Sequence, residues 1–342
     1  MARAQDTALY ETIQSQPELA AELLARDDAA KVAEDLQRAR RIYLIGIGTS
    51  FHAAQVGAFL LRAAGVEATA VHSADFAGYP YPLSRQDAAI LFSHRGTKQY
   101  TVLAAELAAT QCGLSLAITG QGRTLPLVGR TIQTAPQEVS STHTATYTAA
   151  LSVVAQLAVH MGAASLREPL ASLPAAMRSV IQQEAVVREL ATTLSKTARL
   201  MLAGWGPNAV TAAEGALKLK EATYACAEGM GVEPLLHGPL VALGDGDTLL
   251  VVQTDGPGTA RTAEVCAAAS AIGLRVWAVG SAPAGVMPAV SLPALPELLS
   301  PIVAVLPFQL LAAFLAEAWG TNPDSFRRDQ PAYDQALAPI NL

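Results

Sequence analysis

Charge is scarce in this sequence. Asp, Glu, Lys and Arg make up 15% of its 342 residues, against about 25% in an ordinary globular domain, and the formal net charge is −6. No general basic field exists to gather nucleic acid or an anionic membrane, so only local clusters could hold an anion. Cysteine is also rare. Cys112, Cys226 and Cys266 lie far apart, which argues against a disulfide framework or a zinc cluster and for a reducing cytoplasm. No charged-then-apolar leader is read at the start of the chain. Apolar residues, by contrast, reach 51%, with a mean hydropathy of +0.30. Such a chain can bury large cores or a broad subunit interface and cannot be a disordered tail. Its length suggests about two domains. The most apolar stretch, residues 301–319, contains Pro301, Pro307, Gln309 and Glu317, which fits a buried helix better than a bilayer span.

The strongest pattern is an internal repeat. RIYLIGIGTSFHAA from Arg41 and RLMLAGWGPNAVTAA from Arg199 each run from an apolar stretch through Gly-x-Gly into a helical pattern, with Gly46 and Gly204 offset by 158 residues. Further on, the stretches ending at Gly120 and Gly280 align at an offset of 160. Each half alternates short Val/Ile/Leu runs (42–45, 89–92 and 114–118; 200–203, 249–252 and 276–279) with Ala-rich helical stretches. Continuous apolar strands between helices are what a parallel sheet covered on both faces requires. The expected fold is therefore α/β: two tandem, doubly wound parallel-sheet domains of flavodoxin-like three-layer form. Residues 1–30 read as an amino-terminal helical extension, 31–165 as the first domain, 166–196 as a helical linker, 197–322 as the second domain and 323–342 as a tail. Helices over 7–40 should lie against the first unit. The polar, proline-punctuated tail should wrap the surface or reach over a site.

In open parallel sheets ligands sit outside the carboxyl ends of the strands, so the turns that follow the strands carry the candidates. The first turn is Gly46-Ile47-Gly48-Thr49-Ser50-Phe51. Its glycines let the backbone approach an anion, and Thr49 and Ser50 add hydroxyls at a helix N-terminus. Alone, it could equally be a tight turn with Thr49 or Ser50 as N-cap. A dinucleotide site is disfavoured because the third glycine is absent. The second turn, Ser93-His94-Arg95-Gly96-Thr97-Lys98, adds two hydroxyls and two fixed cations to an acidic protein. Together the two turns suit one phosphate monoester.

The second half carries Glu214-Gly215-Ala216-Leu217-Lys218-Leu219-Lys220-Glu221 and, further on, His237-Gly238-Pro239. On a helix, positions 214, 218 and 221 share one face while Lys220 points elsewhere. An ordinary surface ladder of ion pairs would look the same and stabilise little. The neighbouring Ala, Leu, Gly, Thr and Tyr residues suit instead a buried helix. A carboxylate beside an ammonium in a cleft is a plausible general base, with the lysine holding it ionised or binding a sugar hydroxyl. His237 is the natural second proton carrier. The other histidines, His52, His72, His143 and His160, have no comparable setting, and no metal-ligand spacing links them.

At these residues the sequence resembles the sugar isomerase (SIS) domain proteins, in particular the two-SIS-domain isomerase half of glucosamine-6-phosphate synthase. The stretch EGALKLKEATYACAEG, continuing to LLHGPL (214–240), is similar to that family's catalytic segment, including the sixteen-residue step from Glu221 to His237. The Gly-x-Gly-Thr-Ser turn, LPFQLLAAFLAEAWGTNPD and Asp329-Gln330-Pro331 match too, so the likeness covers nearly the whole chain. It implies a sugar 6-phosphate, or its amino-sugar counterpart, held by the first domain's turns: Gly48, Thr49 and Ser50 with Ser93, His94, Arg95, Gly96, Thr97 and Lys98. Glu221 would move a proton between C1 and C2 through an enediol or enolamine, with Glu214 and Lys218 beside it. His237, from a neighbouring subunit, would assist ring opening, and Lys218 would hold sugar hydroxyls. Members of this type are dimers with a shared active site.

The departures from the family pattern bear on the reaction. The SIS part starts near residue 30, with no glutaminase domain or nucleophilic cysteine before it, so glutamine-dependent amide transfer is not expected. The family's Ser-x-Ser-Gly-x-Thr turn is here Ser93-His94-Arg95-Gly96-Thr97-Lys98. Its Val-Ala-Ser-Thr-Lys segment falls within 138–145, where no lysine stands, and Ala336 or Leu337 occupies the place of a tail lysine that would form a Schiff base. The expected function is a hexose 6-phosphate isomerase, or an aminosugar-phosphate deaminase or deglycase, needing a positioned base and acid but no metal or organic cofactor. The alternative is a sugar-phosphate sensor that keeps the pocket and has lost turnover, acting through protein contacts because no DNA-binding segment is attached.

Overall fold

Apolar runs bounded by glycine become strands whose two faces are both covered. In a computed structural model, which describes residues 3–340, these runs build two parallel sheets. The first contains β1 (Arg41–Gly46), β2 (Ala68–His72), β3 (Asp87–Ser93), β4 (Leu114–Thr119) and β5 (Arg130–Gln133), in the order β2-β1-β3-β4-β5. The second contains β6 (Leu200–Gly204), β7 (Ala227–Gly231), β8 (Thr248–Gln253), β9 (Arg275–Gly280) and β10 (Met287–Val290), in the order β10-β9-β8-β6-β7. Counted from β7, the second sheet repeats the strand order of the first.

The chain divides into two compact units. One, carrying the first sheet, is Glu18–Glu138, Ala145–Ser172 and Gln330–Leu342; the other, carrying the second, is Met1–Pro17, Val139–Thr144 and Leu173–Asp329. The opening helices therefore depart from expectation, because the helix Ala8–Leu24 begins in the second-sheet unit. Its free N–H groups explain why. The Asp324 carboxylate accepts from the backbone of Ala8 and Leu9 at 3.0 and 2.9 Å, capping the helix where its dipole favours negative charge. The Tyr10 hydroxyl donates to Glu184 at 2.6 Å. The tail residue that does the capping is thus part of the fold, and Thr142 donates to the Pro323 carbonyl beside it at 2.6 Å. Beyond it, Pro331–Leu337 is a short helix, begun by a proline at its first position, where a missing N–H costs nothing. Residues Ser300–Trp319 are long and apolar enough to cross a bilayer, yet 83% of their most apolar window is buried inside the protein.

Matching features fasten the two sheets at their amino ends. Asp87, 1% exposed, is gripped by Arg40 at 3.0 and 2.9 Å and by the backbone N–H of Ser84 at 2.9 Å. Asp247 is paired with Arg199 at 2.6 Å and accepts from the backbone of Arg199 and Gly244. Burial opposes ionisation of both carboxyls, but these bonds outweigh it and hold both below their ordinary value.

Glycine sets how closely two helices approach their sheets. A Cβ on Gly57, in the helix Thr49–Ala63, would stand 2.7 Å from Leu44 of β1. One on Gly215, in the helix Pro207–Thr223, would stand 2.8 Å from the Phe308 ring and 2.9 Å from Leu202 of β6. Gly215→Ala should therefore overpack this interface and cost about 1–3 kcal/mol in urea denaturation. Gly244→Ala, which meets nothing within 4 Å, should stay within about 0.5 kcal/mol of the parent. Equal midpoints for the two variants would disprove the close approach at Gly215.

Candidate functional site

The first-sheet unit places its turns at the carboxyl ends of β1 and β3. Gly48 sits at φ 57°, ψ −132° and is itself the N-cap, with Thr49 the first helical residue and no side-chain cap bond. The alternative in which Thr49 or Ser50 caps the helix is thereby replaced, for a physical reason: only glycine enters that backbone region cheaply. Thr49 and Ser50 line a recess with Ser93, Thr119, Thr134 and Thr146. It offers about 10 Å³, room for one water-sized group. Ser93 is 4% exposed and its hydroxyl oxygen has no partner among the described residues, an arrangement that costs about 1–3 kcal/mol unless a ligand or water completes it.

The rest of the second turn divides sharply. Arg95, Thr97 and Lys98 are exposed, and a Cβ on Gly96 would lie 2.4 Å from the Thr124 carbonyl oxygen. His94 turns inward to 7% exposure, and its Nε2 accepts from the Glu138 backbone N–H at 3.3 Å. Burial, with Arg95 and Arg123 nearby, pushes the imidazole down to about 4. Although His94 was expected among the phosphate-binding residues, it brings no positive charge at neutral pH. Glu138 was missed by sequence reasoning. Its carboxylate accepts from the Thr146 backbone at 2.8 Å and from the Thr146 hydroxyl, at the start of the helix Ala145–Met161. Six residues separate it from that helix, so no cap motif announces it.

In the second-sheet unit, the helix Pro207–Thr223 starts from Gly206 at φ 54°, ψ −125°, the conformation of Gly48. It carries the expected face inward. Lys218 Nζ lies 2.6 Å from Glu221 Oε2 and 3.4 Å from Glu214 Oε1, and donates to the His143 carbonyl at 3.0 Å. Lys220 is exposed, as the helical period requires. The side chains of Glu214 and Lys218 are 0% and 1% exposed, whereas Glu221 keeps 17%. Of the two carboxylates, only Glu221 can meet a molecule arriving from solvent. Lys218 is enclosed and engaged by protein acceptors, which suits holding Glu221 rather than gripping a sugar. Just beyond the helix, the Arg327 guanidinium stacks over the Tyr224 ring at 4.2 Å.

His237 ends the short helix Val232–Leu236 with its side chain 72% exposed. Its Nε2 lies 3.1 Å from Glu233 Oε1, so its partner is Glu233 rather than a member of the Lys218 group. Arg261 donates to both oxygens of Glu233, at 2.8 and 3.1 Å, and chiefly through these bonds holds that carboxyl down to about 2. The four-residue spacing of Glu233 and His237 was available in the sequence as a helical pair; the approach of Arg261 was not.

Comparison with known proteins bears on the fold that carries this geometry. Residues 35–160 match the family model described as SIS domain. The glutamine–fructose-6-phosphate aminotransferase (isomerizing) of Methanothermobacter thermautotrophicus is 30% identical over 335 residues, covering 93% of this chain and 56% of that relative. The chain thus spans little more than half of the relative's length. Among solved structures, the C-terminal domain of glucosamine-fructose-6-phosphate aminotransferase from Francisella tularensis has a TM-score of 0.86 at 19% identity, covering 93% of this chain and 97% of that one. Tagatose-6-phosphate ketose/aldose isomerase from Escherichia coli has a TM-score of 0.79 at 22% identity, covering 95% and 97%. At these identities the structural likenesses speak for the fold.

Two outcomes follow from the buried groups. Lys218→Met leaves Glu214 and Glu221 without their shared ammonium and should cost about 3–5 kcal/mol of stability, with much of the loss recovered in Lys218→Met/Glu214→Gln. A single-variant loss within the 0–1 kcal/mol typical of roughly any surface pair would refute the enclosure. His94, with its folded value near 4 against an ordinary 6.5, binds a proton more readily unfolded than folded. Its neutral form should therefore support the fold fully above about pH 6.5, and that support should fade as pH drops from there to about 4. Stability curves of the parent and His94→Gln should differ in slope over this window. An NMR titration midpoint of His94 near 6.5 would contradict the burial effect.

Proposed function

We propose that this chain, a SIS-domain protein, is a phosphosugar enzyme that moves a proton between C1 and C2 of a hexose 6-phosphate. We read its two sheets as tandem SIS domains, because the strand order recurs and Gly48/Gly206, Gly57/Gly215 and Asp87/Asp247 repeat at offsets of 158 or 160. The observation that carries the reaction is Glu221, the one carboxylate of a buried cluster that retains access to solvent.

In this reading the ester rests at the mouth of the small recess, against the hydroxyls of Thr49, Ser50, Ser93 and Thr97 and the cations of Arg95 and Lys98. Glycines at 48 and 96 let backbone come near, and neutral His94 backs the turn without adding charge. Glu221 takes the C–H proton next to the carbonyl and returns it to the neighbouring carbon, while a second proton passes between the two oxygens. Aldose and ketose interconvert with no net oxidation. With an amino group at C2, the enolamine protonated at C1 becomes an imine, which water hydrolyses to ketose and ammonia. Lys218 and Glu214 act as positioning residues for Glu221. His237 opens the ring by relaying a proton to the ring oxygen. Its exposure, with Val241 at 89% nearby in sequence, supports a role toward a second copy in a homodimer. The absence of a lysine in 138–145 and at 336–337 keeps imine formation with the protein outside the proposal, and the cytoplasm is the compartment we assign.

The test is hydrogen exchange. With fructose 6-phosphate or glucosamine 6-phosphate in deuterated water, the parent should place deuterium at C1 or C2, releasing ammonia in the second case if it deaminates. Glu221→Gln should slow this by about a hundredfold or more while binding persists. Arg95→Ala should weaken phosphorylated sugars far more than unphosphorylated ones. Binding without exchange across a panel of hexose and aminohexose phosphates would leave the non-catalytic sensor in place of the enzyme.

A further inference from the structure

The second sheet has an opening of its own at the carboxyl ends of its strands, the place where open parallel sheets hold ligands. The turns after β8 and β9 and the proline-marked loop 292–296 bound a cleft of about 420 Å³, within the size range of small-molecule sites. Gln253, the last residue of β8, lines it. That side chain is 6% exposed, and its fully enclosed Oε1 has no hydrogen-bond partner among the described residues. Leaving such an acceptor unmet costs about 1–3 kcal/mol, which a donor on a bound molecule would offset. Asp255 and Ser281 also face the cleft, and no Lys, Arg or His is among its lining residues.

Its charge is opposite to that of the first sheet's turn. Gln253 and Asp255 stand 160 residues after Ser93 and Arg95, so an amide and an acid replace a hydroxyl and a guanidinium. A carboxyl group also occupies the neighbouring turn. Glu297 Oε1 lies 2.8 Å from where a Cβ of Gly256 would stand and 4.0 Å from that of Gly206, at the start of the helix Pro207–Thr223. A phosphate arriving there would meet like charge and no cation.

We infer that this cleft is a second small-molecule site, built for an unphosphorylated, polyhydroxylated amine whose ammonium pairs with Asp255 and whose hydroxyl draws the Gln253 amide toward the cleft and donates to its Oε1. The inference stands apart from the reaction assigned to Glu221. It can be tested by calorimetric titration of the full chain with glucosamine, with and without saturating fructose 6-phosphate, using glucose and glucosamine 6-phosphate as comparison ligands. Glucosamine should bind in the presence of fructose 6-phosphate and more tightly than glucose. Under the same conditions glucosamine 6-phosphate should bind more weakly than glucosamine. Gln253→Leu and Asp255→Asn should each weaken glucosamine by about tenfold or more, and neither should alter deuterium exchange into fructose 6-phosphate. Asp255 is on an exposed turn, so its variant carries the test even if Gln253→Leu does not fold. No glucosamine binding, binding unchanged in Asp255→Asn, or displacement by fructose 6-phosphate would each overturn the assignment.

Discussion

An ammonium group sealed at 1% exposure has no water to stabilise it, and the fold around Lys218 answers that deficit. Removing an ion from water costs several kcal/mol even after relaxation. Three acceptors, two carboxylates and the His143 carbonyl, surround the nitrogen in compensation. The arrangement works only if the helix Pro207–Thr223 is packed tightly enough to exclude solvent. Gly215 grants that approach to Phe308 and Leu202, and Gly206 starts the helix from a bend no other residue adopts cheaply. One charge in the interior thus dictates small residues along a helix, and the same helix carries the acid left facing outward.

The two sheets share a frame and differ in what they display at the carboxyl ends of their strands. In the first, cations stand on the exposed part of a turn while the imidazole behind them is stripped of charge by burial. In the second, the corresponding turn shows an amide and a carboxyl, with the Glu297 carboxyl beside it. Electrostatic character is therefore carried by a few side chains at strand ends rather than by the scaffold, as expected of sites grafted on a common fold.

What could be read before the structure follows from coverage. The six apolar runs are the six inner strands, since a strand covered on both faces must be apolar at every position. The four edge strands, ATAVH, RTIQ, AEGMG and MPAV, include polar residues, glycine or, in the last, a proline, and break the run. The cluster of Glu214, Lys218 and Glu221 was legible because helical period alone brings those positions together. The inward turn of His94, the capping by Glu138 and by Asp324, and the hold of Arg261 on Glu233 depend on segments distant in sequence. No local pattern encodes them. The start of the helix Ala8–Leu24 in the second-sheet unit escaped for the same reason, because its cap comes from a residue more than three hundred positions away.

The Asp87–Arg40 and Asp247–Arg199 clasps lie at the ends of the strands remote from the turns discussed above. Both carboxyls have folded values held below 3.8, so their contribution is complete above that pH and disappears as the solution is acidified past the folded values. Each sheet would consequently lose one fastening at its base on acidification below the ordinary carboxyl range. Acid would then weaken the platform at the ends of the strands away from the turns, separately from any protonation at the turns themselves.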